Sequence, residues 1–473
     1  MGKREFPKVH FYDHDLTDMY DFTFQRLKEA WKRGTPENGL QPRYFSHPQS
    51  DRINQFEACF STFFLVYSNR IFPVFSALDN FYAKQEPDGA IRGEYNESDG
   101  KPIFTRANPE GVFPPLFAWA EYNIYHKIGV KKRIKDVMPI LERHHAWLNK
   151  RFKRDNGLLS VPLEATRMVN APRGEVVYPV DFNTQMAINA LYLSALADIL
   201  NDKESAYKYK KAYFSLKTRI SSLMWDEKER LYLDLDRNEQ RIKVKTAASF
   251  WPLLAEIPNE ARAEAMITHV TNPETFGLEN PFPSLAADEA DFDTRGAGFK
   301  GSVFPFITYM IVKGLEKYGK FELARECSVK HLYYVLEGLH TDEGLNGTLW
   351  EAYAAAQEGP AVWPRHPGFP RPLFLPYAAL STVTLMIENV IGLYISLPRK
   401  TVDWIVPTME LMGIEDLNLR RNTISILSNK SGRGWEIRLE SEKLYYLTIN
   451  VLGEKKKTLP IPSGKCSILI DKI

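Results

Sequence analysis

Apolar residues recur at i, i+3, i+4 and i+7 in about twelve stretches before residue 397, the spacing that lays one hydrophobic stripe along an α-helix. The clearest stretch is VDFNTQMAINALYLSALADILND (180–202), where Ile188, Leu191, Ala195 and Ile199 share a face and Asp181 or Asn183 is placed to cap the start. Pro115–Ile128, Lys131–Phe152, Glu204–Met224 and Phe321–Leu339 follow the same rule. Thr246–Ala255 is weaker because Pro252 interrupts it, and Asn259–Thr268 is weaker by pattern. Tyr377–Leu393 is apolar nearly all round, as a helix buried on both sides would be.

The links between these helices alternate in length. Short ones fall around Asn69, Gly129, Asn201, Ile257 and Gly319; long ones span roughly Gly34–Asp51, Glu86–Gly111, Asp155–Val180, Asp226–Lys243, Thr271–Gly298 and His340–Leu375. Helices packed as an antiparallel ring place every long loop at one end. Loops of that length are functional or disordered as a rule, and these are too aromatic for disorder. The expected fold is an all-α (α/α)6 toroid, residues 1–397, with a rim built from six loops.

After about Pro398 the period changes. NTISILSN (422–429), GWEIRLES (434–441), KLYYLTINVL (443–452) and KCSILIDKI (465–473) read as strands, with a turn at Gly432-Arg433-Gly434. A small antiparallel β domain, 398–473, is expected as a structural accessory.

Bulk numbers narrow the function by exclusion. Lys and Arg total 61 against 59 Asp and Glu, and a net charge of +2 gives no electrostatic case for nucleic acid or an anionic membrane as partner. Three cysteines do not make a disulfide framework, and neither a secretory h-region nor an apolar stretch of membrane-spanning length is visible, so the expectation is cytoplasmic. The ten histidines lack metal-site spacing, no Ser-nucleophile elbow occurs, and no cofactor motif stands in its proper context. Gly296, Gly298 and Gly301 match GxGxxG, but no strand precedes them; Gly314–Lys320 matches GxxxxGK with Phe321 where a hydroxyl belongs. Aromatic residues are 13% of the chain, and their faces stack on sugar rings as well as filling cores.

Candidate chemistry lies in the long loops. Trp350-Glu351, approached through Gly344 and Gly347, reads either as a general base beside a sugar-stacking ring or as a surface Glu at a helix N-terminus. Asp88 sits in a Pro-Asp-Gly turn. Glu164, Arg167, Asn170 and Arg173 share one loop; Asp288, Asp291 and Asp293 form an acidic turn without calcium-loop spacing.

Five segments in order resemble the (α/α)6 glycosidases around trehalase, processing α-glucosidase and mannosylglycerate hydrolase. LDNFYAKQEPDGAI is similar to that group's Gln-x-x-Asp-Gly turn, and PPLFAWAEYNIYHKIG to its Pro-Pro-x-x-Ala-Trp-Ala helix. PRGEVVYPVDFNTQ resembles its Val-Asp-Leu-Asn helix start, GFKGSVFPF its Trp-Arg-Gly-Pro-Val-Trp-Pro, and GTLWEAY its Trp-Glu-Asn-Tyr. The resemblance covers about residues 40–395 and implies inverting hydrolysis of a small glycoside or oligosaccharide without a cofactor or metal. It makes Glu351 the water-activating base. The general acid does not carry over, because the group's Gly-Met-Asp-Asn-x-Pro is here Arg167-Met168-Val169-Asn170-Ala171-Pro172, with valine in place of the acid. Glu57 is the leading substitute and Glu164 the next. Phe56, Phe299, Lys300, Trp350, Asn170, Arg173 and Asp88 are expected to hold the sugar. Phe56-Glu57-Ala58 replaces Trp-Asp-Ser, and Phe299-Lys300-Gly301 replaces Trp-Arg-Gly, exchanging a guanidinium fork for a point charge. Three readings stay open: a glycosidase with a displaced acid, a toroid lyase or epimerase, and a non-catalytic sugar-binding member of the fold.

Overall fold

The computed structural model describes residues 5–68, 71–342, 344–406, 410–419, 422–431, 434–451 and 455–470. Among them run twelve α-helices: α1 His14–Leu27, α2 Gln55–Leu65, α3 Phe75–Tyr82, α4 Phe117–Ile128, α5 Lys131–Phe152, α6 Val180–Leu200, α7 Lys203–Leu223, α8 Trp251–Leu254, α9 Glu260–Thr271, α10 Pro305–Lys317, α11 Phe321–Glu337 and α12 Leu375–Ala379. The last continues as a wider π-helix over Leu380–Ile391. The weak segment at 246–255 is a 3₁₀ turn, Ala247–Phe250, feeding the single turn of α8. Pro252 takes the first positions of that turn, where its missing N–H costs nothing. The links expected near Asn69 and the turn residues Gly432 and Arg433 lie outside the described residues.

The even helices touch in a closed cycle: α2 with α4, α4 with α6, α6 with α8, α8 with α10, α10 with α12 and its π continuation, and these with α2. Odd helices back them, α3 on α2, α5 and α7 on α6, α11 on α10 and the π segment. Burial follows from this placement. Every residue of Leu375–Ile391 is buried, whereas α7 buries only the stripe Ala206, Tyr209, Tyr213, Leu216 and Ile220. Long loops precede each even helix, so six helix N-termini gather at one end and six C-termini at the other. Neither Asp181 nor Asn183 caps α6. Asp234, from the preceding loop, accepts from the Val180 N–H at 2.8 Å, and Asp181 is otherwise engaged.

Nine strands make two further sheets. Their ranges are β1 Lys8–His10, β2 Leu393–Ser396, β3 Thr401–Ile405, β4 Met412–Leu419, β5 Asn422–Ser431, β6 Gly434–Ser441, β7 Tyr445–Val451, β8 Lys455–Ile461 and β9 Gly464–Ile470. One sheet has the order β1-β4-β5-β6-β9, the other β2-β3-β7-β8. The expected all-antiparallel arrangement is corrected at one seam: β3 and β7 pair in parallel. Between them the chain has crossed through β4, β5 and β6 of the other sheet, and such a crossover returns a strand in its original direction, which a hairpin cannot do. The chain's first strand also joins this region, Val9 opposite Ile414. Fully buried Trp404 donates its indole N–H to the Ile391 carbonyl at 2.8 Å, fastening the sheets to the end of the π-helix.

Candidate active site

Glu57 lies in the first turn of α2. Asn54 caps that turn, its Oδ1 accepting from the N–H groups of Phe56 at 2.9 Å and Glu57 at 3.1 Å. A carboxylate there also meets the positive end of the helix dipole. Glu351 comes from the loop before α12. Both carboxylates are 8% exposed.

One guanidinium joins them. Arg371 grips Glu351 bidentately, Nε to Oε2 at 3.0 Å and Nη2 to Oε1 at 2.7 Å, and the same Nη2 reaches Glu57 Oε1 at 3.3 Å. The backbone tightens the grip: the Arg371 N–H donates to Glu351 Oε2 at 3.1 Å, and the Glu351 N–H to the Arg371 carbonyl at 3.0 Å. The two Oε1 atoms therefore lie no farther apart than their bonds to the shared nitrogen allow, about 6 Å. Carboxyls of an inverting pair stand roughly 6.5–9.5 Å apart, and of a retaining pair about 5–5.5 Å.

Burial pushes the Glu57 carboxyl above its ordinary range; the charge of Arg371 opposes this, and the charge of Glu351 adds to it. Glu57 is thus biased toward the protonated form that a general acid needs. His47 is buried beside them, its ring 4.9 Å from that of Phe374 and its Nδ1 without a partner. Burial, then the charge of Arg371, lowers its pKa to about 4, so it is neutral near pH 7. Arg371 lies over the Phe374 ring at 4.0 Å. Phe56, 1% exposed, meets Phe306 edge-on at 5.0 Å and Tyr377 at 6.4 Å, so the starts of α2, α10 and α12 share one aromatic cluster beneath the carboxylates.

The loop expected to carry the acid lies near these carboxylates with different chemistry, since the charge of Arg167 acts on Glu57. Val169 turns outward, 41% exposed. Arg167 adopts a left-handed φ of 72°, a conformation that costs a non-glycine residue about 1–3 kcal/mol. Its guanidinium lies 4.1 Å above the Phe113 ring, and its Nε is buried without a hydrogen-bond partner. Asn170 clamps the loop to the Ala297–Phe299 turn, donating to the Ala297 carbonyl and accepting from the Phe299 N–H, each at 2.8 Å. A side chain at Gly298 would strike Asn170 Oδ1 at 2.7 Å, so glycine is required there. Phe299 stacks on Phe304 at 4.3 Å.

Several expected sugar contacts stand elsewhere. Arg173 is buried within a salt-bridge pair: its donors go to Asp181, Asp234 and Thr166 at 2.7–3.2 Å, leaving none for a ligand. Its role as a sugar contact is corrected to that of a brace at the start of α6. Lys300 pairs with Asp291 at 3.0 Å in the acidic turn. Glu164 accepts from Thr105 Oγ1 at 3.1 Å on the outer loop surface, while Asp88 is exposed and accepts from the Ala90 N–H at 3.1 Å within its own turn. Trp350 is half-buried, its N–H donating to the Tyr353 hydroxyl at 3.1 Å. Arg371, His47 and Arg167 in this role were not singled out by sequence reasoning. Only the unusual Arg in a glycine position of the resembled motif signalled the last.

Comparison with known proteins decides the family. The family model of the mannosylglycerate hydrolase MGH1-like glycoside hydrolase domain matches residues 75–359, and that of the trehalase C-terminal domain matches residues 392–473. The chain belongs to the MGH1-like glycoside hydrolases. Its reaction class is accordingly that of a glycosidase, cleaving O-glycosyl bonds. An uncharacterized protein of Borreliella burgdorferi is 46% identical over 475 residues, the full length of both chains. A mannosylglycerate hydrolase of Rubrobacter radiotolerans is 29% identical over 153 residues, 30% of this chain and 33% of its own. The fold is shared with the GH63 mannosylglycerate hydrolase of Thermus thermophilus solved with glucose, at a TM-score of 0.60 and 20% identity over 77% of this chain and 99% of that one. It is also shared with a sialidase, at 0.72 and 14%, of which this MGH1-like chain spans 40%. No described helix is long and apolar enough to cross a membrane.

Proposed function

We propose that the chain is an (α/α)6-toroid glycoside hydrolase whose two β-sheets, built from Leu393 onward together with β1, are an accessory, acting on a small glycoside or oligosaccharide. Glu351 is the base that activates water, and Glu57 is the acid that replaces the aspartate lost at Val169. The observation that carries this reading is the convergence of these two carboxylates, from chain positions nearly three hundred residues apart, on one guanidinium at the N-terminal end of the helix cycle. Burial supports the division of labour, since it favours a protonated Glu57. Phe299 and Trp350 are proposed as apolar walls, with Asn170 holding the loop over them; Phe56, 1% exposed and packed beneath the carboxylates, supports the site without touching a sugar.

In inversion, Glu351 takes a proton from the attacking water while Glu57 protonates the leaving oxygen. Arg371 now fills the space between them. It must swing off Glu57, and the carboxyls must separate to roughly 6.5–9.5 Å, before a sugar and a water fit. A second reading rests on that same arginine. If the bidentate grip is permanent, neither carboxylate is available, and the groove binds a sugar without cleaving it.

A panel of α- and β-glycosides, assayed with native protein, Glu351→Gln and Glu57→Gln, separates the two. Turnover by native protein alone, with the anomer of the first product inverted by NMR, supports the hydrolase. Retention would make Glu351 or Glu57 a nucleophile; saturable binding with no turnover of any glycoside supports the binding reading; equal turnover by all three proteins removes both assignments.

A further inference from the structure

Where α5 ends, two of the long loops stand apart from the helix and leave a cavity of about 420 Å³. Ligand pockets span roughly 300–1,000 Å³, so this one has the size of a binding site. Its walls are residues 108–110, the last turn of α5 with Arg154 beyond it, and residues 160–162 and 176–177 of the loop before α6. Neither Glu57, Glu351 nor Arg371 lines it.

The cavity has an apolar floor and a polar margin. Phe152 closes the hydrophobic stripe of α5 and is 5% exposed, and Val161 is 4% exposed. The Ser160 N–H donates to the Phe152 carbonyl at 3.0 Å, which holds the loop against the helix end. On the margin, Arg151 donates from Nε to Glu110 Oε1 at 2.9 Å and from Nη2 to the same oxygen. Arg92 Nη1 reaches the other oxygen of Glu110 at 3.3 Å. Glu110 is thus fixed between two cations, yet a carboxylate has about four acceptor sites and these bonds leave capacity over. Arg154 is less engaged. Its side chain's one hydrogen bond among the described residues goes to the Arg151 carbonyl at 3.3 Å, with no carboxylate of that set at ion-pair distance. The Ser160 hydroxyl donates to none of the described residues.

We propose that this cavity is a second carbohydrate site, binding a neutral saccharide apart from the Glu57–Glu351 pair. A sugar ring carries apolar C–H faces and a belt of hydroxyls, each of which donates and accepts. The floor of Phe152 and Val161 suits the first, and the margin supplies both donors and acceptors for the second: Arg151 and Arg154 give, Glu110 accepts, and Ser160 does either. A wholly apolar ligand would strip water from two guanidinium groups without replacing it. A small anion would gain Arg154 but meet the Glu110 carboxylate on the same wall, and it would leave the floor uncovered. The inference does not rest on the roles proposed for Glu57 and Glu351, because it concerns binding and not turnover.

The test titrates glucose, mannose, maltose and cellobiose into native protein, Glu351→Gln, Arg154→Ala and Val176→Trp, by calorimetry and saturation-transfer NMR. Val176 is half-buried on the cavity wall, so tryptophan there fills the space; Arg154 is exposed, so its truncation leaves the fold intact, as melting temperatures will report. At least one sugar is expected to bind native protein and Glu351→Gln alike. Arg154→Ala is expected to weaken that binding by about 10-fold, and Val176→Trp to abolish it. Turnover of p-nitrophenyl glycosides, where native protein shows any, is expected to stay unchanged in both cavity variants. A protein that binds sugar in this way but cleaves no glycoside upholds the second site while the hydrolase reading fails. Sugar binding unchanged in both cavity variants, or binding lost in Glu351→Gln, overturns the proposal. So does the absence of binding by every sugar, and so does uptake of acetate or inorganic phosphate, sensitive to Arg154→Ala, in place of sugar.

Discussion

The two ends of the helix cycle each bury carboxylates against cations, and they do so to opposite effect. At the floor, where the C-termini of the even helices meet, Glu388 receives Lys127 at 3.1 Å, Lys313 at 2.7 Å and a hydrogen bond from Tyr67. Burial alone would raise its pKa; the two lysines and those bonds hold it down to about 2. Glu316, with Lys313 at 3.0 Å, Asn389 at 2.7 Å and Tyr394 at 2.6 Å, completes the layer. Lysines there also suit the negative ends of the helices. At the rim, two carboxylates share one arginine, and Glu57 is shifted up. The floor pairs its acids directly with two lysines, whereas at the rim Arg371 is spent mainly on Glu351 and touches Glu57 through one nitrogen at 3.3 Å. Glu57 therefore keeps its upward shift, which Arg371 and, less strongly, Arg167 oppose.

Substitution of the rim base gives the largest expected effect. Glu351→Gln keeps the shape but cannot accept a proton, and should lower turnover by about 10²–10⁴-fold, with little change in thermal midpoint. Steady-state rates on whichever glycoside proves best will check it; a loss under tenfold would show that the rim carboxylate is structural like its floor counterpart. The same change at the floor should act the other way. Glu388→Gln leaves Lys127 and Lys313 buried against a neutral group and should cost about 3–5 kcal/mol of stability, with turnover of the surviving folded protein unchanged. Denaturant unfolding followed beside activity distinguishes the two. Glu57→Gln serves as the control, because removing a carboxylate whose charged form is disfavoured should leave stability within about 1 kcal/mol of native.

The sequence made the helix cycle legible because a buried helix must carry its apolar stripe, and alternating loop lengths leave few ways to close a ring. Glu351 and Glu57 were legible through the resemblance of their segments. Arg371 was not: its partners are 20 and 314 residues away, and no local spacing encodes that. Arg173 was misread because a cation in a polar loop looks the same whether it faces a ligand or an aspartate; only Asp181 and Asp234 brought into contact tell them apart. The parallel β3–β7 seam escaped for a similar reason. Alternation reports a strand, not the direction in which its neighbour runs.

Acid should weaken both ends, over different ranges. Burial lowers His47 at the rim and His126 near the floor to about 4, as it does His144 in α5. Each takes up a proton near pH 6.5 only when unfolded, so their contribution to stability is complete above that pH and declines as pH falls toward 4. Glu388 acts lower: its contribution is complete above about 4.3, the ordinary Glu value, and is lost as pH falls toward about 2. Unfolding followed from pH 8 to 3 should show a plateau above pH 7 and a decline below 6.5. His47→Gln and His126→Gln should each flatten that decline by about one proton's slope. A flat profile between 6.5 and 4 would mean that these rings are hydrated and not sealed.

Removal of the bridging arginine should discriminate most. The Arg371 side chain is 37% exposed, which lets solvent screen part of its ion pairs, but Glu57 and Glu351 are each 8% exposed, so Arg371→Met should cost about 1–3 kcal/mol, less than Glu388→Gln. The effect on titration is larger. Arg371 opposes the upward shift of Glu57 more strongly than Arg167 does, and without it the charge of Glu351 is less compensated, which raises the Glu57 pKa further. If Glu57 is the acid, the limb of the pH–rate profile that reports its loss of a proton must move to higher pH in Arg371→Met. A profile that stays in place, with sugar bound more tightly because the mouth has been emptied, would make Arg371 a plug in a binding groove, and the rim would then be as static as the floor.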